Sequence, residues 1–229
     1  MTPTAPLNLV FDLGQVMIRW EPEALVRRFF PDRCGTDAQA QGLAQTCFRS
    51  KAWSDFDAGL LDTDGVALQL AQGIQEPLSR VRAMVVDIAH ALTPIDASVH
   101  LLAQLHQWRQ SRQSQKVTGL RLFYLSNMPE PYADHLIEAH SYFRAFDGGV
   151  FSGRVKLAKP DPAIYVHAEL VLGLVPAHTV FFDDHWPNVQ AANERGWQGL
   201  HVPEPGHLPT VLPPLLKARG LDLAALPQL

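Results

Sequence analysis

The chain has 229 residues, of which 47% are hydrophobic and 18% charged, with a formal net charge of −4. That length can bury one elaborated domain or a core with a smaller insert, and the acidic balance, without any Lys/Arg cluster, argues against a nucleic-acid partner. Cys34 and Cys47 are too few for a disulfide framework and no apolar run approaches the roughly 20 residues of a membrane span, so reduced thiols and no membrane association are expected.

The first predicted element is a strand, Leu9-Val10-Phe11, closed by Asp12-Leu13-Gly14. Asp12 interrupts this apolar stretch and no basic segment precedes it, so no signal peptide is expected and a cytoplasmic location follows. Residues 21 to 92 lack strand patterns and read as helices. Glu21-Pro22 starts one, because proline suits the first helical position, and Leu25, Val26, Phe29 and Phe30 share its apolar face. Phe48, Trp53, Phe56 and Leu60 continue a helical region, with Asp57-Ala58-Gly59 as a possible turn within it. Asp62 or Thr63 caps a helix bearing Val66, Leu70 and Ile74, and a further helix spans Leu78 to Ala91.

From residue 93 onward helices and strands alternate, which predicts parallel pairing. Leu101, Leu105 and Trp108 form a helical stripe, and polar Ser111 to Thr118 is expected to be a surface connection. Leu120 to Leu125 is a strand, Pro129 to His140 a helix, and Gly148-Gly149 begins a short extended piece. Asp161-Pro162 opens a helix; Val180 to Phe182 is a strand; Pro187 to Gly196 brackets another helix. Trp197 to Val202 is expected as a final core strand, with the Pro-rich tail from Pro203 packing irregularly. The predicted fold class is α/β: a Rossmann-like parallel sheet core (residues 1–20 and 93–229) with an inserted helical cap (residues 21–92).

Four segments carry the chemistry: Phe11-Asp12-Leu13-Gly14, Leu125-Ser126-Asn127, Lys159-Pro160, and Phe182-Asp183-Asp184. A polar residue just past a buried strand sits at the carboxyl edge of a parallel sheet, where open α/β folds bind ligands. An Asp, a Ser, a Lys and an Asp pair at such positions compose a phosphate-transfer site. Asp12 is the predicted nucleophile, able to form an aspartyl-phosphate. Asp184 would share a Mg²⁺ ion with Asp12 and a backbone carbonyl at Gly14. Lys159 would neutralise the phosphoryl group, while Ser126 and the backbone N–H of Asn127 would hydrogen-bond it. Asp183 is suited to orienting Lys159 or a metal-bound water, or to capping the next helix. Asn188 reads either as a partner of the metal site or as a solvated helix residue.

In order and residue type these segments resemble the motifs of the haloacid dehalogenase-like hydrolase superfamily. They are most similar to the subgroup opening FDLG and carrying FFDD, which includes sugar-phosphate phosphatases and the phosphatase domain of soluble epoxide hydrolase. The resemblance implies that Asp12 is the nucleophile, Ser126 and Lys159 the second and third motif residues, and Asp184 the metal-binding residue. It also implies that residues 21–92 are the helical cap and that the substrate is a small phosphorylated metabolite. Gly14 departs from the pattern, since family phosphatases commonly place a general-acid Asp two residues after the nucleophile. Such a loss costs about 10² to 10⁴ in rate, so good leaving groups should be favoured unless another residue supplies the proton. A dehalogenase or a catalytically weak phosphometabolite-binding protein is the alternative reading. The sequence leaves the oligomeric state open.

Overall fold

Strands β1 (Leu7–Phe11), β2 (Leu120–Ser126), β3 (Gly148–Phe151), β4 (Thr179–Asp183) and β5 (Gln198–His201) form one parallel sheet in the order β3-β2-β1-β4-β5. The computed structural model describes residues 6–113 and 119–221. β1 and β4 are buried along their whole length, as the unbroken apolar runs require for strands covered on both faces. Alternate residues serve opposite faces. Leu9, Phe11 and Phe182 enter one apolar cluster; Val10, Phe123 and Phe181 enter another beneath helices α9 (Pro162–Leu172) and α10 (Trp186–Glu194).

Register places the site. Phe11 lies opposite Tyr124 on β2 and Phe182 on β4. The chain order reverses at β1, whose neighbours β2 and β4 connect in opposite directions, and a crevice forms at the carboxyl edge of such a switch point. Asp12 N–H donates to Phe182 O at 2.8 Å, continuing the ladder one residue past the strand.

Between β1 and the sheet's next helix lie five helices: α1 (Pro22–Phe29), α2 (Asp37–Phe48), α3 (Lys51–Asp57), α4 (Thr63–Ile74) and α5 (Leu78–Ala91). Thr36 and Gln39 form a reciprocal capping box at α2, and Ser50 and Asp62 cap α3 and α4. The two connections to the sheet run side by side. Arg19 N–H donates to Thr93 O and Ile95 N–H to Met17 O, each at 2.8 Å, around an Ile18–Pro94 bridge.

Four expectations need correction. The Phe48–Leu60 region is two helices, because Ser50 starts a new one, and Leu60 lies beyond it, 59% exposed. Helix α6 (Asp96–Gln113) extends into the expected polar connection, whose remainder, 114–118, lies outside the described residues. β5 is a half-exposed edge strand instead of a core strand. The tail from Pro203 contains a helix following α7 (Glu130–Ala139), the one-turn α8 (Ser152–Val155), α9 and α10; this is α11 (Leu208–Ala218). Pro209 occupies its first turn, and burial of Leu208, Leu212 and Leu216 along one stripe outweighs the backbone bonds lost at Pro213 and Pro214. Among the described residues no helix is long and apolar enough to cross a membrane.

Candidate active site

Lys159 is the hub of the sheet edge. Its Nζ donates to Asp12 Oδ1 at 2.8 Å, to Asp183 Oδ2 at 2.7 Å and to Leu125 O at 2.9 Å. Those three bonds use all three ammonium protons. An anion arriving at this edge would meet the charge of Lys159 but no free ammonium N–H. The loop that carries Lys159 is fixed by Asn127, whose side-chain Nδ2 donates to Lys159 O and whose Oδ1 accepts from Lys159 N–H, both at 2.8 Å.

Asp183 is fully buried and fully engaged. It accepts from His185 N–H at 2.8 Å, which turns the chain into α10, and from Asn188 Nδ2 at 3.0 and 3.1 Å. Asp183 thus touches both Lys159 and the start of α10. Asn188 is buried against it, not solvated. Asp184 lies half-buried beside it, its backbone carbonyl accepting from His201 Nε2 at 2.8 Å.

Asp12, Asp183 and Asp184 bring carboxylate oxygens within 4.8 Å of one another. Three carboxylates face one ammonium, so negative charge is in excess. Burial pushes the Asp12 carboxyl well above the ordinary carboxylate range; Lys159 opposes this, and Asp183 and Asp184 reinforce it. Burial raises Asp184 as well, with Asp183 adding to the rise and Lys159 opposing it. Burial also works against the charge on Lys159, but the carboxylates of Asp12 and Asp183 more than offset it and hold the ammonium above its usual range. A hard divalent cation fits this donor set. Asn188 Oδ1, buried without a hydrogen-bond partner among the described residues and lining the same cavity, adds an oxygen that a cation or its water would satisfy. Gly14 also lines the cavity; its carbonyl accepts from Val16 N–H at 2.7 Å and retains one lone pair.

The cavity over these groups has a volume of about 350 Å³. Its floor is Asp12, Ser126, Lys159 and Asp184; Ser126 is 1% exposed and its hydroxyl has no partner among the described residues. Its roof comes from the helical block and its connections. Trp20 stacks on Trp53 with ring centroids 6.0 Å apart, and Phe48 meets both edge-on. Gln15, at φ 56°, uses its side chain to hold both the N–H and the carbonyl of Trp20. Asp57 is the acidic residue of the roof.

The structure thus brings together Asp12, Gly14, Ser126, Asn127, Lys159, Asp184 and Asn188 around one cavity, with Asp183 behind them. The Asn127 side chain, however, faces the lysine loop. Sequence reasoning missed Gln15, Ile18, Trp20, Leu92, Met128 and Tyr132 as lining residues, and weighed Asp57 with Trp53 and Phe56 only as a substrate contact of the cap, of which Asp57 and Trp53 line the cavity. Only the proximity of Gln15 to Asp12 offered a signal. His185 also lines the cavity and is exposed.

A parallel sheet with an acid-lysine cluster at its switch point defines a hydrolase of the phosphoryl- or haloacid-processing kind. Residues 19–196 match the model of the haloacid dehalogenase-like hydrolases, and the chain belongs to that family. It is 28% identical over 193 residues to the sesquiterpene phosphatase astK of Aspergillus oryzae, covering 84% of this chain and 88% of that protein. The fold is similar to that of L-2-haloacid dehalogenase from Xanthobacter autotrophicus, with a TM-score of 0.64 and 19% identity over 86% of this chain and 78% of the other. It is also similar to a family enzyme from Bacteroides thetaiotaomicron solved with magnesium and inorganic phosphate. There the TM-score is 0.62 and the identity 18%, over 86% of this chain and 94% of that one.

Proposed function

We propose that the chain is a Mg²⁺-dependent phosphatase that hydrolyses a small phosphomonoester through an aspartyl-phosphate on Asp12. The observation that carries this reading is the Asp12–Lys159–Asp183 network beside Asp184, at the floor of a cavity roofed by aromatic side chains. Lys159 pins Asp12 Oδ1, leaving Oδ2 to attack phosphorus in line with the departing oxygen. Asp183 and Asn127 keep Lys159 from relaxing toward solvent. The Ser126 hydroxyl, free of other partners, donates to a phosphoryl oxygen, and the backbone N–H of Asn127 provides a second donor. Asp12, Asp184 and the Gly14 carbonyl are the residues that would hold the ion, with Asn188 beside them. When bound, the cation supplies charge neutralisation for the phosphoryl oxygens and for the excess carboxylates.

The cap, residues 21–92, is where substrate selectivity resides, because the floor groups address only the phosphoryl end shared by every phosphomonoester. Its wall is Phe48, Trp53 and Leu92, joined by Trp20 from the connection before it and closed on the sheet side by Ile18 and Met128. Such a lining binds an apolar organic group and offers little to a polyhydroxylated one. The sesquiterpene phosphatase relative supports this preference. A haloacid fits less well, since displacement at carbon has no use for the cation that Asp184 beside Asp12 calls for.

Turnover of p-nitrophenyl phosphate with Mg²⁺, its loss in excess chelator, and a phosphorylated Asp12 in trapped enzyme are the expected results. Halide release from a 2-haloacid in chelator, without phosphatase turnover, would overturn the reading.

A further inference from the structure

We propose that Asp57, carried by the cap, is the proton donor and acceptor of the reaction, serving in place of the acid that Gly14 cannot provide. This rests on the phosphatase reading above. Three acidic side chains line the cavity: Asp12, Asp184 and Asp57. The first two belong to the nucleophile and cation side of the floor. Asp57 alone comes from the helical block, on α3, the side that in the proposed reaction would face the organic part of a phosphomonoester.

Its placement is fixed through its backbone. Asp57 is the last residue of α3, and its carbonyl accepts from Ser152 Oγ, which in turn accepts from Met128 N–H at 2.7 Å. Two residues later Gly59, at φ 69°, packs so closely on Gly153 that a Cβ would sit 2.1 Å from the Gly153 carbonyl oxygen. The cap is therefore seated on the sheet domain at the residue that carries the carboxyl group. That carboxyl makes no hydrogen bond to any described residue, so it is not committed to holding the structure.

The groups around it favour a carboxylic acid at rest. Burial holds Asp57 well above the usual carboxylate range, and the Asp12 charge from β1 raises it further. Tyr132 of α7 also faces it, but the phenol donates to Val85 O and is spent. Lys159, across the cavity, has no proton to spare, and Asp184 and His185 stand at the α10 side. Gly14 has room: a Cβ there would come no nearer than 3.8 Å, to Asp12 Oδ2.

The chemistry balances. In the first step Asp12 forms a bond to phosphorus as the bond to the leaving oxygen breaks, and the Asp57 proton passes to that oxygen, releasing the alcohol. In the second, Asp57 as carboxylate takes a proton from water while the water oxygen attacks phosphorus. The Asp12–phosphorus bond then breaks, returning a free Asp12 carboxylate, inorganic phosphate and a protonated Asp57.

The test compares p-nitrophenyl phosphate with a simple alkyl phosphate, both with Mg²⁺, in wild type and in Asp57→Asn. Wild-type rates should agree within about tenfold, since a donated proton removes the dependence on leaving group. In Asp57→Asn, kcat for the alkyl phosphate should fall by about 10² to 10⁴. With p-nitrophenyl phosphate the variant should release a burst near one equivalent of nitrophenolate before slow turnover, because dephosphorylation now lacks its base. Adding Gly14→Asp to this variant should recover much of the alkyl rate. A variant that falls equally on both substrates without a burst, or one unchanged on both, overturns the proposal, as does transfer of these signatures to His185→Gln. If the variant does not fold, the wild-type comparison decides: rates that track leaving-group quality steeply reject an internal acid. Absence of any wild-type phosphatase turnover removes the parent reading and this one together.

Discussion

The floor and the roof of the cavity are built on opposite principles. On the floor the central groups are fixed by directional bonds: Lys159 by three acceptors, Asp183 by four contacts, Asn127 by a reciprocal pair with the lysine loop. On the roof, aromatic rings meet at varied angles and the Asp57 carboxyl makes no hydrogen bond to any described residue. Directional bonds hold reacting atoms to fractions of an ångström; apolar contacts tolerate changes of shape. In the proposed reaction the floor would determine which bond is broken and the roof which molecule is admitted.

The sharpest way to break that division is Asp12→Asn. Turnover should fall by at least about 10⁴ for every substrate, while folding is retained, because the amide keeps the volume and removes one of the crowded charges. Steady-state rates alongside thermal melting check both halves, and residual activity above that level would remove Asp12 as nucleophile. Next, Asp184→Ala should lower kcat by about 10² to 10³ and raise the Mg²⁺ concentration needed for half-maximal rate, since a site with so few protein ligands loses much of its affinity with one carboxylate. A metal titration of the rate measures this.

Smaller effects belong to the roof. Trp20→Ala should raise KM for an alkyl or isoprenoid phosphate by about tenfold with little change for inorganic phosphate as inhibitor, the scale expected for trimming an apolar pocket. Equal weakening of both would mean that the roof contacts the phosphoryl end after all. Last is a stability effect of a few degrees. Asp12 and Asp184 have folded-state affinities for protons raised above the unfolded value, so between pH 4 and neutrality the folded chain holds more protons than the unfolded one. Stability of the metal-free protein should therefore fall as pH rises through that window. Mg²⁺ should raise the melting temperature more at pH 7 than at pH 5; calorimetry at both values decides.

Much of the floor was readable because its residues follow directly on buried strands. Leu9-Val10-Phe11 and Val180-Phe181-Phe182 fix β1 and β4, and the next residues must then emerge at the sheet edge. Roof function was not readable in the same way. Helical spacing puts Trp53 and Phe56 on one side of α3, but only the former reaches the cavity, while Phe56 packs against Tyr132 at 5.4 Å. That choice is made by long-range packing. The role of Ser152 in joining Asp57 to Met128 spans 95 residues and has no local pattern. The tail helix was hidden by its own prolines, although Leu208, Leu212 and Leu216 already carried its period.

The glycine pair at the seat of the cap bears on how this chain can be recombined with its relatives. Gly59 belongs to the inserted block, whereas Gly153 lies beyond the second connection, with its own Cβ position blocked by Met128 O and Glu130 N at 2.8 and 2.7 Å. A chimera cut only at the paired connections near residues 18 and 94 would exchange one glycine and leave the other behind. Any incoming block with a side chain at the position of Gly59 would be lifted off its seat, and the residue beside it would be carried away from the nucleophile. The insert is continuous in the sequence, yet as a unit of exchange it includes residues 152–153.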